Sequence, residues 1–169
     1  VMNRSFSISV DAEVPKDGAE GVLYAMGGND GGLTFFIMDG KLQYAYNYVA
    51  AEYFRVTSKD NVPAGRHKLR FEFEVKGKPD VAKGKGAPGT AQLYIDDKLV
   101  GQTEFPYTMP LSMGLGAGAS VGCDPGSPAI PDYKPPFEFN GKIYNVTVDV
   151  SGDLIQDHES AAKIMMARQ

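Results

Sequence analysis

Asp124 and Asp132 bracket Gly126-Ser127-Pro128 in a proline-rich stretch and are the candidate metal ligands of this sequence. A loop of this kind offers carboxylates and backbone carbonyls, and Ca2+ takes about six to eight oxygen ligands. Asn29-Asp30, inside a glycine-rich turn, is a second candidate. Against both stands the habit of acidic turn residues to bond their own backbone. Cys123-Asp124-Pro125-Gly126-Ser127 follows the pattern Cys-x-Pro-x-Arg, whose cysteine becomes a formylglycine nucleophile for sulfate-ester hydrolysis, up to its last position. Ser127 stands where the arginine belongs, and no cluster of aspartates, histidines and lysines accompanies it, so Cys123 reads as a small residue at a strand end. Only two histidines, His67 and His158, occur, which excludes a His-rich metal centre.

Other patterns fail on context. Gly114-Leu115-Gly116-Ala117-Gly118-Ala119 satisfies G-x-G-x-x-A, but a dinucleotide fingerprint needs a helix after it, and Gly122 to Pro125 give a helix no good start. The glycines read instead as a tight strand or bulge. Between Gly77 and Gly86 the spacing is wrong for a phosphate loop, and Gly86 replaces the hydroxyl residue that would hold Mg2+. Residues 76–90, with Lys76, Lys78, Lys83 and Lys85 against Asp80, read as a mobile, solvated hairpin loop with some attraction for anions. The Glu-x-Asp-x-x-Glu strand of sandwich-fold glucanases is absent, and Glu72 and Glu74 read as an exposed strand face. Asn3-Arg4-Ser5 and Asn145-Val146-Thr147 match the glycosylation sequon at strand positions, where chance is the default. Tyr44, Tyr46, Tyr48, Tyr53, Tyr107 and Tyr133 could together make a sugar-stacking platform, weakened by the absence of tryptophan and by the general preference of tyrosine for strands.

The elements that must position these groups are strands. Phe6, Ile8, Val10, Ala12 and Val14 alternate with Ser5, Ser7, Ser9, Asp11 and Glu13, the period of two that marks a half-buried antiparallel strand. Apolar or alternating runs follow at residues 22–26, 33–38, 41–48, 52–57, 67–75, 91–95, 99–105 and 142–150, with a weak glycine-spaced run at 113–121. Asp39-Gly40 is a strong hairpin signal, and Asp96-Asp97-Lys98 marks another turn. In the tail, Asp157 can cap a short helix that carries Ala161, Ile164 and Met165 on one stripe. Ten to twelve strands joined by short turns predict an all-β antiparallel sandwich, residues 1–169 forming one domain.

Composition agrees. Among 169 residues, 20 glycines and 11 prolines favour turns, and 43% apolar residues suffice for a core without disulfides, since Cys123 is alone. A net charge of −4 argues against nucleic acid as the main partner. The longest apolar run has five residues, far short of the 18 or so of a membrane-spanning helix. Val1-Met2-Asn3-Arg4 leads directly into the first strand, so the start reads as a cut domain or processed product.

Taken in order, several strings resemble known families. Residues 39–47 and 94–101 are similar to two hairpins of laminin-G/concanavalin A-like sandwiches (jelly rolls). Residues 63–73, Asp124-Pro125-Gly126-Ser127-Pro128 with Pro131-Asp132-Tyr133, and residues 136–143 resemble the C-terminal domain of large bacterial arylsulfatases. That resemblance runs over nearly the whole chain. It implies a non-catalytic accessory domain of a bacterial, cytoplasmic or periplasmic protein, packed against an N-terminal sulfatase catalytic domain that holds the formylglycine and the metal. None of that machinery has positions here. The competing expectation is an independent lectin-like module for a glycan or another anionic ligand, with Ca2+ as its candidate cofactor; an autonomous enzyme is a distant third.

Overall fold

A computed structural model describes residues 2–110, 118–155 and 166. Ten strands are present among them: β1 Phe6–Val14, β2 Gly21–Gly28, β3 Gly31–Met38, β4 Lys41–Tyr48, β5 Glu52–Asn61, β6 Gly65–Val75, β7 Gly89–Ile95, β8 Lys98–Phe105, β9 Ala119–Val121 and β10 Lys142–Asp149. They form two antiparallel five-stranded sheets, in the orders β10-β1-β6-β7-β8 and β5-β4-β3-β2-β9. The fold is therefore the all-β two-sheet sandwich expected. The helix expected around Asp157 to Met165, and most of the Gly114–Ala119 motif, lie outside the described residues.

Alternation builds the first sheet. The odd–even pattern of β1 sends Ile8, Val10 and Ala12 inward, and the register Ile8↔Phe71 and Val10↔Leu69 sets them beside the inward residues of β6. Phe71 stacks on Tyr44 of the facing sheet with ring centroids 3.5 Å apart and planes 6° from parallel, and Phe35 and Phe105 complete the aromatic centre. Along one flank β8 meets β5 closely: a Cβ on Gly101 would stand 2.7 Å from the Thr57 carbonyl oxygen, so only glycine fits there.

Three tight turns have both central residues in the left-handed region: Asp39-Gly40 (φ 53° and 74°), Asp96-Asp97 (48° and 66°) and Val49-Ala50 (45° and 59°). These match the right-handed twist of the strands they join. The glycine-rich stretch at 27–32 is shorter as a loop than its composition suggests. β2 runs to Gly28 and β3 starts at Gly31, leaving Asn29-Asp30 as the turn. The 76–88 connection is pinned rather than mobile. It contains a short 3-10 turn at Val81–Lys83, its Gly86 and Ala87 N–H groups donate to the Thr108 carbonyl and to Asn3 Oδ1, and Val81 and Ala87 are buried.

The two sheets differ in what covers their outer faces. Residues 123–139 fold back over the β2–β3–β4 sheet as a lid. Val22 N–H donates to the Phe137 carbonyl, and Ile130 and Tyr133 pack on Val22, Ala25, Phe36 and Ala45. The two alanines leave the room that the lid fills. This is why nearly all of β3 is buried on both faces.

Candidate ligand-binding face

The outer face of the β10-β1-β6-β7-β8 sheet carries no such lid among the described residues. Its pattern follows from the alternation that fills the core: the residues left pointing outward on β1 are Ser7, Ser9, Asp11 and Glu13, with Ser5 just before its first residue. Across the ladder Ser7 faces Asp149 and Glu72, Ser9 faces Thr147 and Arg70, and Asp11 faces Asn145 and Lys68. Directly paired side chains share one face about 5 Å apart. Three short serines flanked by the long side chains of β6 therefore make a trough whose floor is β1. It runs from Ser5 to Asp11, about 20 Å at the usual rise per strand residue. Two clefts open along it. One of about 290 Å3 is lined by Ser5, Ser7, Glu72, Glu74 and Asp149, and one of about 480 Å3 by Ser9, Asp11, Arg66, Lys68 and Thr147.

Two aromatic rings on this face lie under guanidinium groups. Arg66 stacks over Tyr144 at 3.9 Å and Arg70 over Tyr94 at 4.1 Å, within the range of a cation–π contact. Asp11 grips Arg66 through Nε and Nη2 at 3.0 and 2.7 Å, which fixes the plane of the guanidinium and holds the Asp11 carboxyl below its usual range. Tyr144 donates to Glu13 at 2.9 Å, and that bond raises its phenol above the usual value. Beyond Tyr94 the row continues in amide groups, Gln92 donating to Gln102 at 3.2 Å. The result is a polar surface of carboxylates, guanidiniums, amides and hydroxyls: groups suited to hydroxyl-rich ligands.

At the end of the trough, His67 clasps two turns. Its Nδ1 lies 2.5 Å from Asp96 Oδ2 and its Nε2 2.9 Å from the Ala64 carbonyl, while Asp96 Oδ1 accepts from Lys68 N–H. Burial pulls the imidazole pKa down, but the bonds to Asp96 and Ala64 outweigh it and the net direction is upward.

The residues singled out from sequence lie elsewhere. Asp124 is buried in the lid, where Oδ2 accepts from Tyr133 Oη at 2.5 Å and from Ala129 N–H at 3.1 Å. Asp132 is clamped by both terminal nitrogens of Arg55, on β5. A cation using both aspartates would have to displace these donors, and among the described residues no group of three or more His, Cys, Asp or Glu side chains is gathered to hold a metal. Asn29 and Asp30 form the β2–β3 turn, and Cys123 is half-buried and unpaired. The tyrosine platform needs correction. Tyr44, Tyr46 and Tyr133 are buried, because alternation in β4 and the lid turn them inward, and Tyr48 is half-buried against Tyr107. Tyr53 is exposed on β5, and the outer face of the other sheet carries Tyr94 and Tyr144. The signal for Tyr94 was the outward phase of a strand recognised from its apolar phase; Tyr144 has the phase of Val146, Val148 and Val150 in the sequence, and the register shift opposite Asp11/Ala12 turns it outward instead.

No known family model matches the chain, and no curated protein matches it in sequence. Solved structures do match in fold. The CBM40 domain of Ruminococcus gnavus IT-sialidase, bound to alpha2,6 sialyllactose, has a TM-score of 0.57 at 12% identity, over 96% of this chain and 83% of that one. Domains LG4-5 of the mouse laminin alpha1 chain give 0.56 at 17% identity, over 88% and 36%. The binding domain of botulinum neurotoxin serotype C1 gives 0.53 at 14%, over 99% and 37%. At these identities the likeness is one of fold: a two-sheet sandwich of the laminin-G and carbohydrate-binding-module kind.

Proposed function

We propose that this chain is a non-catalytic, lectin-like module that binds a glycan in the trough along β1. The observation that carries the reading is the inequality of the two faces. One sheet is closed by the chain's own lid, and the other carries, among the described residues, no cover over two clefts in a polar, aromatic-studded surface. Support comes from the fold neighbours, which include a carbohydrate-binding domain solved with sialyllactose. Glycan-array screening followed by calorimetry tests the reading. Filling the floor with Ser7→Tyr or Ser9→Tyr is expected to abolish binding, while Tyr53→Ala, on the opposite sheet, leaves it intact. Binding is expected to be the same in Ca2+ and in EDTA, since no step of the reading uses a metal. Retention of full affinity by both serine variants would remove the trough from consideration.

A second reading, the accessory domain of a sulfatase-like protein, is favoured by one feature. On the flank where β9 and β10 lie, Val121 and Val150 are 51% and 42% exposed. In that reading the flank packs on a catalytic domain and the trough borders its entrance. Co-purification with such a domain, lost on Val121→Lys, would distinguish it.

A further inference from the structure

We propose that the trough seats its saccharide in one direction, with a single acidic group, carboxylate or sulfate, at the Arg66/Lys68 end and uncharged hydroxyl-bearing residues towards Glu72, Glu74 and Asp149. This rests on the reading of the trough as a glycan site. The two clefts on the β1 floor have opposite charge. The larger is lined by two permanent cations, Arg66 and Lys68, and by His67, itself paired with Asp96, against the one carboxylate of Asp11. The smaller is lined by three carboxylates, of which Glu72 and Glu74 are paired with Arg70 and Lys76 at its margin and Asp149 has no cation beside it among the described residues.

The cationic end has donors to spare. Asp11 occupies Nε and Nη2 of Arg66, and among the described residues Nη1 has no partner. Lys68 Nζ stands 3.8 Å from Asp97 Oδ1, outside hydrogen-bond range, with its side chain half exposed. An Arg fork held in plane by a carboxylate and an aromatic ring is pre-organised to grip one oxyanion. Because Asp11 already offsets part of the positive charge, the site suits one anionic group rather than a run of them. At the other end Glu74 meets Lys76 Nζ at 2.8 Å, Asp149 accepts from Ser151 N–H at 2.8 Å, and Glu72 pairs with Arg70. A carboxylate has about four lone-pair positions, so each retains capacity to accept from sugar hydroxyls, while the cluster, with Asp149 uncompensated, disfavours a second anion.

Calorimetric titration of the full chain with matched saccharides tests this: lactose against sialyllactose, an unmodified galactoside against its sulfated form, and an oligogalacturonate charged at every residue. At low salt the terminally acidic member of a pair is expected to bind about tenfold or more tightly than its neutral partner, the scale of one charge-assisted hydrogen bond. The oligogalacturonate is expected to gain nothing. Arg66→Gln and Lys68→Gln, verified as folded by their melts, should bring the acidic-to-neutral ratio towards one, and the sulfated and carboxylated arms show which oxyanion is preferred. A ratio already near one in the unmodified chain, or unmoved by both variants, overturns the inference and leaves the trough as a neutral-glycan site. So does preferred binding of the oligogalacturonate. Failure of every saccharide to bind overturns the glycan reading itself.

Discussion

His67 has acceptors at both ring nitrogens, a carboxylate at Nδ1 and a carbonyl at Nε2, and only the imidazolium can donate to both. Its folded pKa is therefore raised above the ordinary value of 6.5. The linked stability is fully present below about pH 6.5 and is lost as pH rises through the raised folded value. Asp96 works in the opposite sense. Burial pushes its carboxyl up, but the Lys68 N–H and His67 outweigh that and lower it from 3.8. Its contribution is present above about pH 3.8 and fades as pH falls through the lowered folded value. The clasp is thus strongest in mildly acidic solution. The melting-temperature difference between the unmodified chain and His67→Gln is expected to be widest near pH 5 and to narrow towards pH 9. With only two histidines in the chain, the ring signals can be titrated directly by NMR. A difference constant over that range would show that His67 acts by packing alone.

Among the elements, the β4–β5 hairpin is the one whose sequence opposes its geometry. Val49 and Ala50 both take left-handed backbone angles, a region costing a residue with a Cβ about 1–2 kcal/mol, and Val49 is β-branched as well. Replacing the pair by Asn-Gly, which this turn prefers, is expected to raise the melting temperature by a few degrees, at about 2–4 °C per kcal/mol for a chain of this size. Scanning calorimetry checks it; no gain would mean that Val49 contributes packing equal to its strain. Asp39-Gly40 and Asp96-Asp97 adopt the same geometry with suitable residues, and both were legible as turns. Val49-Ala50 was not, because nothing in its chemistry announces a turn. Legibility along the strands follows the same logic. β1 and β6 were readable because water lies on one side and the core on the other, so their residues alternate. β3 shows an apolar run without alternation, broken only by Thr34, since both of its faces are covered. The lid that covers one of them is made of proline, glycine and aspartate, residues that announce a loop but not where the loop lies.

For the molecule as a whole, the lid closes one sheet and the other is open among the described residues, and on the proposed reading this separates stability from binding. The trough was half visible in the sequence: Ser5, Ser7 and Ser9 were placed on the outward face of β1, but their long-chained neighbours on β6 come from about sixty residues away and join them only through the ladder register. Asp124 and Asp132 drew attention as oxygen donors, and the partners that occupy them, Tyr133 beside one and Arg55 on a distant strand beside the other, could not be paired by inspection. Tyr133 is the latch of the lid. Burial, and then its bond to Asp124, push its phenol far above the usual value, so it stays a donor, and its oxygen lies 3.0 Å from Thr34 Oγ1 as well. Tyr133→Phe keeps the ring against Phe36 and Phe137 and removes only the hydroxyl. It leaves Asp124 with the Ala129 N–H alone, a loss of about 1–3 kcal/mol for a buried polar group deprived of a partner. The melting temperature is expected to fall by several degrees. The affinity for a saccharide measured well below that temperature should not change, because the trough lies on the opposite sheet. A parallel loss of affinity would show that the lid shapes the binding face through the core, and the two faces would then have to be treated as one device.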